Sequence, residues 1–496
     1  MAIPKVFGIE TEYGIATHDD PTTNPVLASS VLIASYAGTL RKIRWDYEQE
    51  SPLRDARGFD AHAGREGTDE DLGLANVVLP NGARYYVDHA HPEYSTPECI
   101  SPRQLVIHDK AGERILERSL DAVAREFPAH APVSIYKNNS DGKGNSYGTH
   151  ENYLVDRESA FDDIVRHIIP FLVSRIVFCG AGKVGTEVAW PEPAMGYQLT
   201  QRADFFETAV GLETTLKRPI VNTRDEPHAD PGKYRRLHLI CGDANLSEIA
   251  TFLKIGTTAL VLRMLEDGRC PEPALADPVS ALHRISRDPT CRATVEMADG
   301  RELRALDIQW EYFEHASKYL ADGDVEPAPD DDDVLRRWEA VLTGLERDPL
   351  QLHRELDWVA KFRLLEAYRD RDGLAWDAPK LHAIDLQYHD VRSDRGLYAR
   401  LAVQGRMDRI TTDAEIDAAV MVPPEDTRAW FRGRCIDRYP DSIAAASWDS
   451  LIVELSPGAQ LRRIPMLEPL RGTRLHVEGL LEQADDVAKL VDLLEA

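Results

Sequence analysis

The stretch KVFGIETEYGIA near the N-terminus constrains this chain more than any other. Phe7 and Ile9 alternate with Gly8 and Glu10, the period of a strand with two unlike faces. Residues two apart on a strand project to the same side, about 7 Å apart. Glu10 and Glu12 therefore share a face, and Phe7, Ile9 and Ile15 point to burial on at least one side. Two neighbouring carboxylates in a partly dry site repel, and one takes up a proton unless a cation sits between them. Taken alone, the fragment also fits an edge strand carrying two solvated glutamates.

A second segment, GARYYVDHAHPEYS, places Arg84, Tyr86 and Asp88 on one strand face and continues through His89, His91 and Glu93. The turn signal Pro80-Asn81-Gly82 before it predicts a hairpin. A guanidinium, a phenol and two carboxylates within ten residues cannot enter an apolar core without partners. Two such strands in one sheet bring together hard oxygen donors and an arginine. That set suits Mg²⁺ or Mn²⁺, and magnesium is commonly shared with nucleotide phosphates. His89 and His91 are candidate zinc ligands, but no matching cysteine or HExxH helix accompanies them.

Three further stretches fit the same chemistry. GTHENYL sets His150 beside Glu151 and Asn152 after the glycine-rich SDGKGNSYG, although a hydrogen-bonded structural histidine fits equally. VNTRDEPHAD carries Arg224. YRRLHLICGDANLSE puts Arg236 and His238 on one strand face, with Asp243 and Asn245 at the next turn. Arginine suits bidentate contact with phosphate or carboxylate. No GxxxxGK[ST] is present, so a nucleotide here is not held by a P-loop.

With 496 residues, the chain exceeds what a single core usually organises. Its net charge of −26 argues against a general nucleic-acid or anionic-membrane binder. The six cysteines are scattered without a CxxC pair, which fits a reducing compartment. No leader pattern opens the chain, and HIIPFLVSRIVFCGAG carries Arg175 and is too short to span a bilayer. The expectation is a soluble cytoplasmic protein with no nucleic-acid or membrane partner.

Along the chain, ASSVLIASYAGTLRK reads as a helix opened by serines, and RQLVIHDKAGERILERSLDAVAREF as a long amphipathic helix. From Trp45 to about Asn76 the sequence is polar, charged and without period. A solvated loop accounts for it, yet ordered loops of that length are often functional. VSIYKNN, THENYLV and RRLHLICGD read as strands. LSEIATFLKIGTTALVLRML and LHRELDWVAKFRLLEAYRD read as helices. The aspartates of PAPDDDDVLRRWEAVL suit a helix N-terminus better than a metal site. Near the end, SLIVEL and RLHVEGLL are expected to be strands, followed by a helix over EQADDVAKLVDLL.

Six segments carry a family resemblance: GIETEYG, RWDYEQESPLRDARGFD, NGARYYVDHAHPEYSTPE, YKNNSDGKGNSYGTHENYL, GLETTLKRPIVNTRDEPHA and YRRLHLICGDANL. Together they closely resemble the Pup ligases and Pup deamidase/depupylases of the bacterial Pup–proteasome system, and the likeness continues through DLQYHDVRSDRGLY. Two features resemble the deamidase/depupylase branch more than the ligase branch. One is the short DHAHPEYS, where the ligase has a longer V-G-S-H-P-E. The other is the insertion from about Arg44 to Asn76, which the resemblance places near the active site.

The resemblance implies an α+β fold: a glutamine-synthetase-like curved antiparallel sheet backed by helices over residues 1–425, with an inserted loop at about 44–76 and a small C-terminal domain over 426–496. ATP and Mg²⁺ would lie on the concave face. By the same resemblance, Glu10, Tyr86 and Glu93 are magnesium ligands and Glu12 is a second ligand or water holder. His150 and His238 are further metal or phosphate groups. Arg84, Thr96 and Trp448 would contact nucleotide, and Arg224 and Arg236 would hold substrate. Asp88 would be the catalytic aspartate, as nucleophile or general base.

The implied reaction is hydrolysis of the side-chain amide at the C-terminal residue of Pup, either glutamine or its isopeptide with a lysine of a pupylated protein. ATP would be required without being consumed at each turnover. Formation of that isopeptide with ATP turnover is the rival reading, and a non-enzymatic Pup- and nucleotide-binding adaptor is the other.

Overall fold

Phe7–Glu12 (β1) lies inside a six-stranded sheet in the computed structural model, which describes residues 1–17, 24–38, 43–48, 50–57, 75–126, 133–187, 196–215, 217–456 and 458–495. The other strands of this sheet, labelled in chain order, are β2 (Asn76–Val78), β3 (Arg84–Asp88), β4 (His91–Ser95), β5 (Thr149–Asp156) and β6 (Tyr234–Leu239). Their spatial order is β6-β5-β1-β4-β3-β2, and every pairing is antiparallel.

Alternation along β1 separates two environments. Phe7 and Ile9 join Tyr153, Val155, Leu237 and Leu239 in the main apolar core, with residues of the helices Phe161–Ser174 and Glu248–Glu266. Burying each such side chain is worth about 1.5–3 kcal/mol. One charge is tolerated behind the sheet because it is paired: buried Glu151 accepts two bonds from Arg175, at 2.9 and 2.5 Å. The helix Pro102–Glu126 buries Leu105, Ile115 and Leu116 as its amphipathic pattern predicts.

Several local expectations need correction. The first helix runs Pro25–Ala37, capped by Asn24, whose side chain accepts from the Val26 N–H; the serines lie within it. LHRE does not begin a helix: a 3₁₀ turn at Pro349–Leu352 precedes the helix Asp357–Asp372. RLHVEGLL is not a strand but part of the helix Arg474–Gln483. The Thr473 hydroxyl accepts from the His476 N–H there, and Val477 and Leu481, four apart, face the core. The acidic run does open a helix, Asp331–Arg347, with Asp331, Asp332 and Asp333 in its first turn.

A second sheet is built mostly from the C-terminal region, in the order Leu461–Pro465, Ser450–Glu454, Ile443–Ala446 and Arg44–Trp45. Its last pairing is parallel and recruits the start of the insertion. Ile43 and Trp45 thereby share a core with Trp430, Phe431, Leu451 and Val453. Farther along, Ala56 N–H donates to Thr223 O and Asp225 N–H to Arg54 O, each at 2.8 Å. The beginning of the insertion is thus pinned to the segment before β6, while its stretch 58–74 lies outside the described residues. All six cysteines are unpaired, and among the described residues no helix is long and apolar enough to cross a membrane.

Candidate active site

Strand register assembles the site. Glu12 stands opposite Glu93, and Glu10 stands opposite Ser95 on one side and His150 on the other. Tyr86 faces Glu93, Arg84 faces Ser95, and His238 faces Asn152. Residues directly opposite in a sheet lie on the same face. Glu10, Glu12, Arg84, Tyr86, Asp88, Glu93, His150 and His238 therefore converge although they come from five strands.

They form two groups. Ligand atoms of Glu10, His150 and His238 lie within 4.8 Å of one another, and so do those of Glu12, Asp88 and Glu93. Asn152 organises the first group: its Nδ2 donates to Glu10 at 2.9 Å, and its Oδ1 accepts from Arg236 at 3.0 Å and from His238 Nδ1 at 2.8 Å. Burial pushes the Glu10 carboxyl up, but the His150 hydrogen bond and Arg236 outweigh it and hold the group at about 2. Burial, and after it Arg236 and His150, keep His238 neutral well below the usual imidazole range.

In the second group, burial raises the Glu93 carboxyl far above its usual range, and repulsion from Asp88, Glu10 and Glu12 adds to the effect. The Tyr86 hydroxyl donates a short hydrogen bond to it. Glu12 is driven the other way: against burial, the His91 imidazole at 3.0 Å and the Gly148 N–H at 2.7 Å favour its anion. A Cβ at residue 148 would stand 2.2 Å from His150 Nε2 and 2.8 Å from Glu12 Oε1, so only glycine lets the chain pass between the two groups. Asp88 ends β3 with its side chain 34% exposed, reachable by a ligand.

These donors fit a divalent cation. His238 gives its Nδ1 proton to Asn152, and its Nε2 is buried without a hydrogen-bond partner. A neutral imidazole oriented through its other nitrogen is the usual state of a metal ligand. The crowding of carboxylates around Glu93 is the strain that a cation relieves.

A cleft adjoins the first group. Its lining includes Glu10, Thr96, Arg236, Arg428 and Trp448. Thr96 accepts from the Ile9 N–H at 3.0 Å, and Trp448 is packed edge-on against Trp45, with ring centroids 5.3 Å apart. Arg236 lies in this cleft, 3.6 Å from Glu10. Arg84 is buried and not among the residues lining this cleft; it is stacked 3.7 Å from the Tyr86 ring centre and 4.1 Å from that of Trp45. Arg224 has its Nε buried without a hydrogen-bond partner, and its charge acts on Glu10 and Arg236.

Sequence reasoning missed several participants. Arg428 and Arg432 clamp the partly buried Glu98, two residues after Thr96, and no pattern links groups some 330 residues apart. Arg202 and Arg218 bracket Ser146 in the glycine-rich loop, donating to its hydroxyl at 3.3 Å and its carbonyl at 2.9 Å. Their other bonds go to the carbonyls of Ile240 and Thr214. Burial, then Arg218, lowers Arg202 to about 10. Asn152 was legible as the residue two after His150, on the same strand face.

An antiparallel sheet that turns two carboxylate-rich groups toward a cleft lined by arginine, threonine and tryptophan defines an enzyme centre for charged ligands. Residues 5–452 match the family described as Pup-ligase protein. The chain is 55% identical over 504 residues to a depupylase of Acidothermus cellulolyticus, and 52% identical over 500 residues to a Pup deamidase/depupylase of Mycolicibacterium smegmatis; each comparison covers 99% of both chains. A Pup–protein ligase of Xylanimonas cellulosilytica is 42% identical over 489 residues, covering 96% of this chain and 99% of that one.

Among solved structures, the ligase PafA in complex with Pup superposes with a TM-score of 0.81 at 33% identity, covering 99% of this chain and 94% of that chain. PafA in complex with ADP gives 0.73 at 36% identity, covering 86% and 96%. The chain belongs to the Pup-ligase protein family.

Proposed function

We propose that this protein is an amide hydrolase dependent on ATP and Mg²⁺. It would convert the C-terminal glutamine of Pup to glutamate and cleave the isopeptide between Pup and a substrate lysine. The observation that carries this reading is Asp88, an accessible carboxylate grouped with Glu12 and Glu93 on the sheet face that continues to the cleft. The relatives named depupylase or Pup deamidase/depupylase share 52–55% identity with the chain, against 42% for the ligase of Xylanimonas.

In this reading residues 1–425 carry the chemistry, and residues 426–496 supply Trp448 to the nucleotide. Thr96 and Arg428 border the nucleotide with Trp448, and Arg84 holds the adjoining wall. Arg224 and Arg236 face the anionic groups of substrate and phosphate. Glu10, His150 and His238 hold one cation; Glu12 and Glu93, the latter oriented by Tyr86, hold the other. Bound Mg²⁺ would supply positive charge against the oxyanion that develops at the amide carbonyl.

Asp88 acts on that carbonyl by one of two routes. As nucleophile it attacks the carbonyl and the C–N bond breaks, ammonia or the lysine amine leaving with a proton; the mixed anhydride so formed is opened by water, dividing one hard cleavage into two easier steps. As general base it takes a proton from the attacking water.

The test is intact mass of glutamine-ended Pup incubated with the protein, ATP and Mg²⁺. A gain of about one dalton, lost without nucleotide and in Asp88→Asn, is expected. ATP consumed in step with attachment of glutamate-ended Pup to lysines would identify a ligase instead. Pup binding with neither reaction would identify an adaptor.

A further inference from the structure

We propose that His89 is a positioning residue that sets the orientation of the Asp88 carboxylate, an inference that rests on the catalytic role assigned to Asp88 above. Two residues, His89 and Ala90, join β3 to β4, and Asp88 pairs with His91 across the turn. His89 has φ +52°, whereas Ala90 is not at positive φ. Positive φ in a two-residue hairpin connection is a position that ordinarily belongs to glycine, asparagine or aspartate. A histidine there is conformationally unfavourable, and such strain persists where the surrounding structure enforces it. The enforcing contacts are visible: the turn is paired on both strands, and the Ser29 hydroxyl donates to Ala90 O at 2.9 Å.

The left-handed backbone brings the imidazole back onto its neighbour. His89 Nδ1 lies 2.9 Å from Asp88 Oδ2. Both side chains are accessible, His89 at 67% and Asp88 at 34%, so core packing does not explain the histidine. A glycine would satisfy the turn at lower cost, yet it has no side-chain donor with which to fix one carboxylate oxygen. With Oδ2 engaged, Oδ1 is left to face the substrate carbonyl or the attacking water. Misplacing a reacting group by an ångström or so costs up to about a hundredfold in rate.

The experiment compares His89→Gly, His89→Asn and Asp88→Asn in the full-length protein, using glutamine-ended Pup with ATP and Mg²⁺. His89→Gly is expected to melt at or above the wild-type temperature, because it relieves the turn. Its kcat should nevertheless fall roughly ten- to a hundredfold while KM for Pup is unchanged. Asparagine tolerates the left-handed region and offers an amide N–H, so His89→Asn should recover part of the lost kcat. Wild-type kcat in His89→Gly, with Asp88→Asn inactive, would overturn the positioning role and leave the Asp88 reading standing. A fall in kcat matched by a lower melting temperature and a raised KM would show His89 to be structural only. An active Asp88→Asn would remove the reading on which both rest.

Discussion

Glu12 and Glu93 stand directly opposite each other on β1 and β4, yet their carboxyls are driven in opposite directions. Burial opposes ionisation of both. Glu12 overcomes it with an imidazole and a backbone N–H, whereas Glu93 sets the Tyr86 hydroxyl and a longer bond from the Ser95 hydroxyl against three nearby carboxylates. The pair is matched only when positive charge enters the site.

Glu93→Gln therefore separates stability from metal binding. Mn²⁺ affinity, read by calorimetry or electron paramagnetic resonance, is expected to fall about 10–100-fold. The metal-free protein should not melt lower than wild type, because the substitution removes a repelled carboxyl. Unchanged Mn²⁺ affinity would take Glu93 out of the ligand set.

Asp88→Asn should lower deamidation by roughly 10²–10⁴-fold or more while leaving ATP binding intact. Hydroxylamine added during turnover distinguishes the two routes. A hydroxamate on Asp88, located by peptide mass mapping, arises only if that side chain was acylated.

Glu98 makes stability depend on acid. Burial raises its carboxyl, but the Arg432 and Arg428 guanidiniums prevail and hold it at about 2, below the ordinary 4.5. A folded-state value below the unfolded one adds stability above pH ~4.5, and that contribution disappears as pH falls toward 2. Glu98→Gln should cost about 3–5 kcal/mol at neutral pH, since it removes the counter-charge of two buried arginines. In urea unfolding, the gap between wild type and variant should narrow steadily below pH ~4.5. A gap constant with pH would mean that the carboxylate charge is not what stabilises.

Arg432 links three parts of the fold. It donates to Gly82 O at 2.7 Å, to Trp448 O at 3.0 Å and to Glu98, and its guanidinium lies 5.0 Å from the Trp448 ring centre. Lysine cannot reproduce that fork. Arg432→Lys should weaken ATP binding about tenfold, equivalent to about 1.4 kcal/mol, through displacement of Trp448. Equilibrium binding of a fluorescent ATP analogue measures it.

The two-residue period of a strand is local, and it alone put Glu10 with Glu12 and Arg84 with Tyr86 and Asp88. Helix periodicity likewise located the helices Pro102–Glu126 and Glu248–Glu266 to within a few residues. It failed at RLHVEGLL, where an eight-residue window admitted both periods and the core contacts of Val477 and Leu481 decided for helix. Motif resemblance supplied the family, the reaction class and the names of the site residues.

Only the tertiary structure decided which strands are neighbours. It set Glu12 against Glu93, brought His238 beside Asn152, and joined Trp45 to the C-terminal sheet. It also showed that Arg236 enters the cleft, that Arg84 stacks between aromatic rings, and that Glu98 is clamped by arginines some 330 residues away. Side-chain alternation follows from the bonds of a single residue and its neighbours, and is therefore written in the sequence. Register, burial and the resulting shifts in proton affinity depend on segments distant in the chain, and exist only once those segments have packed.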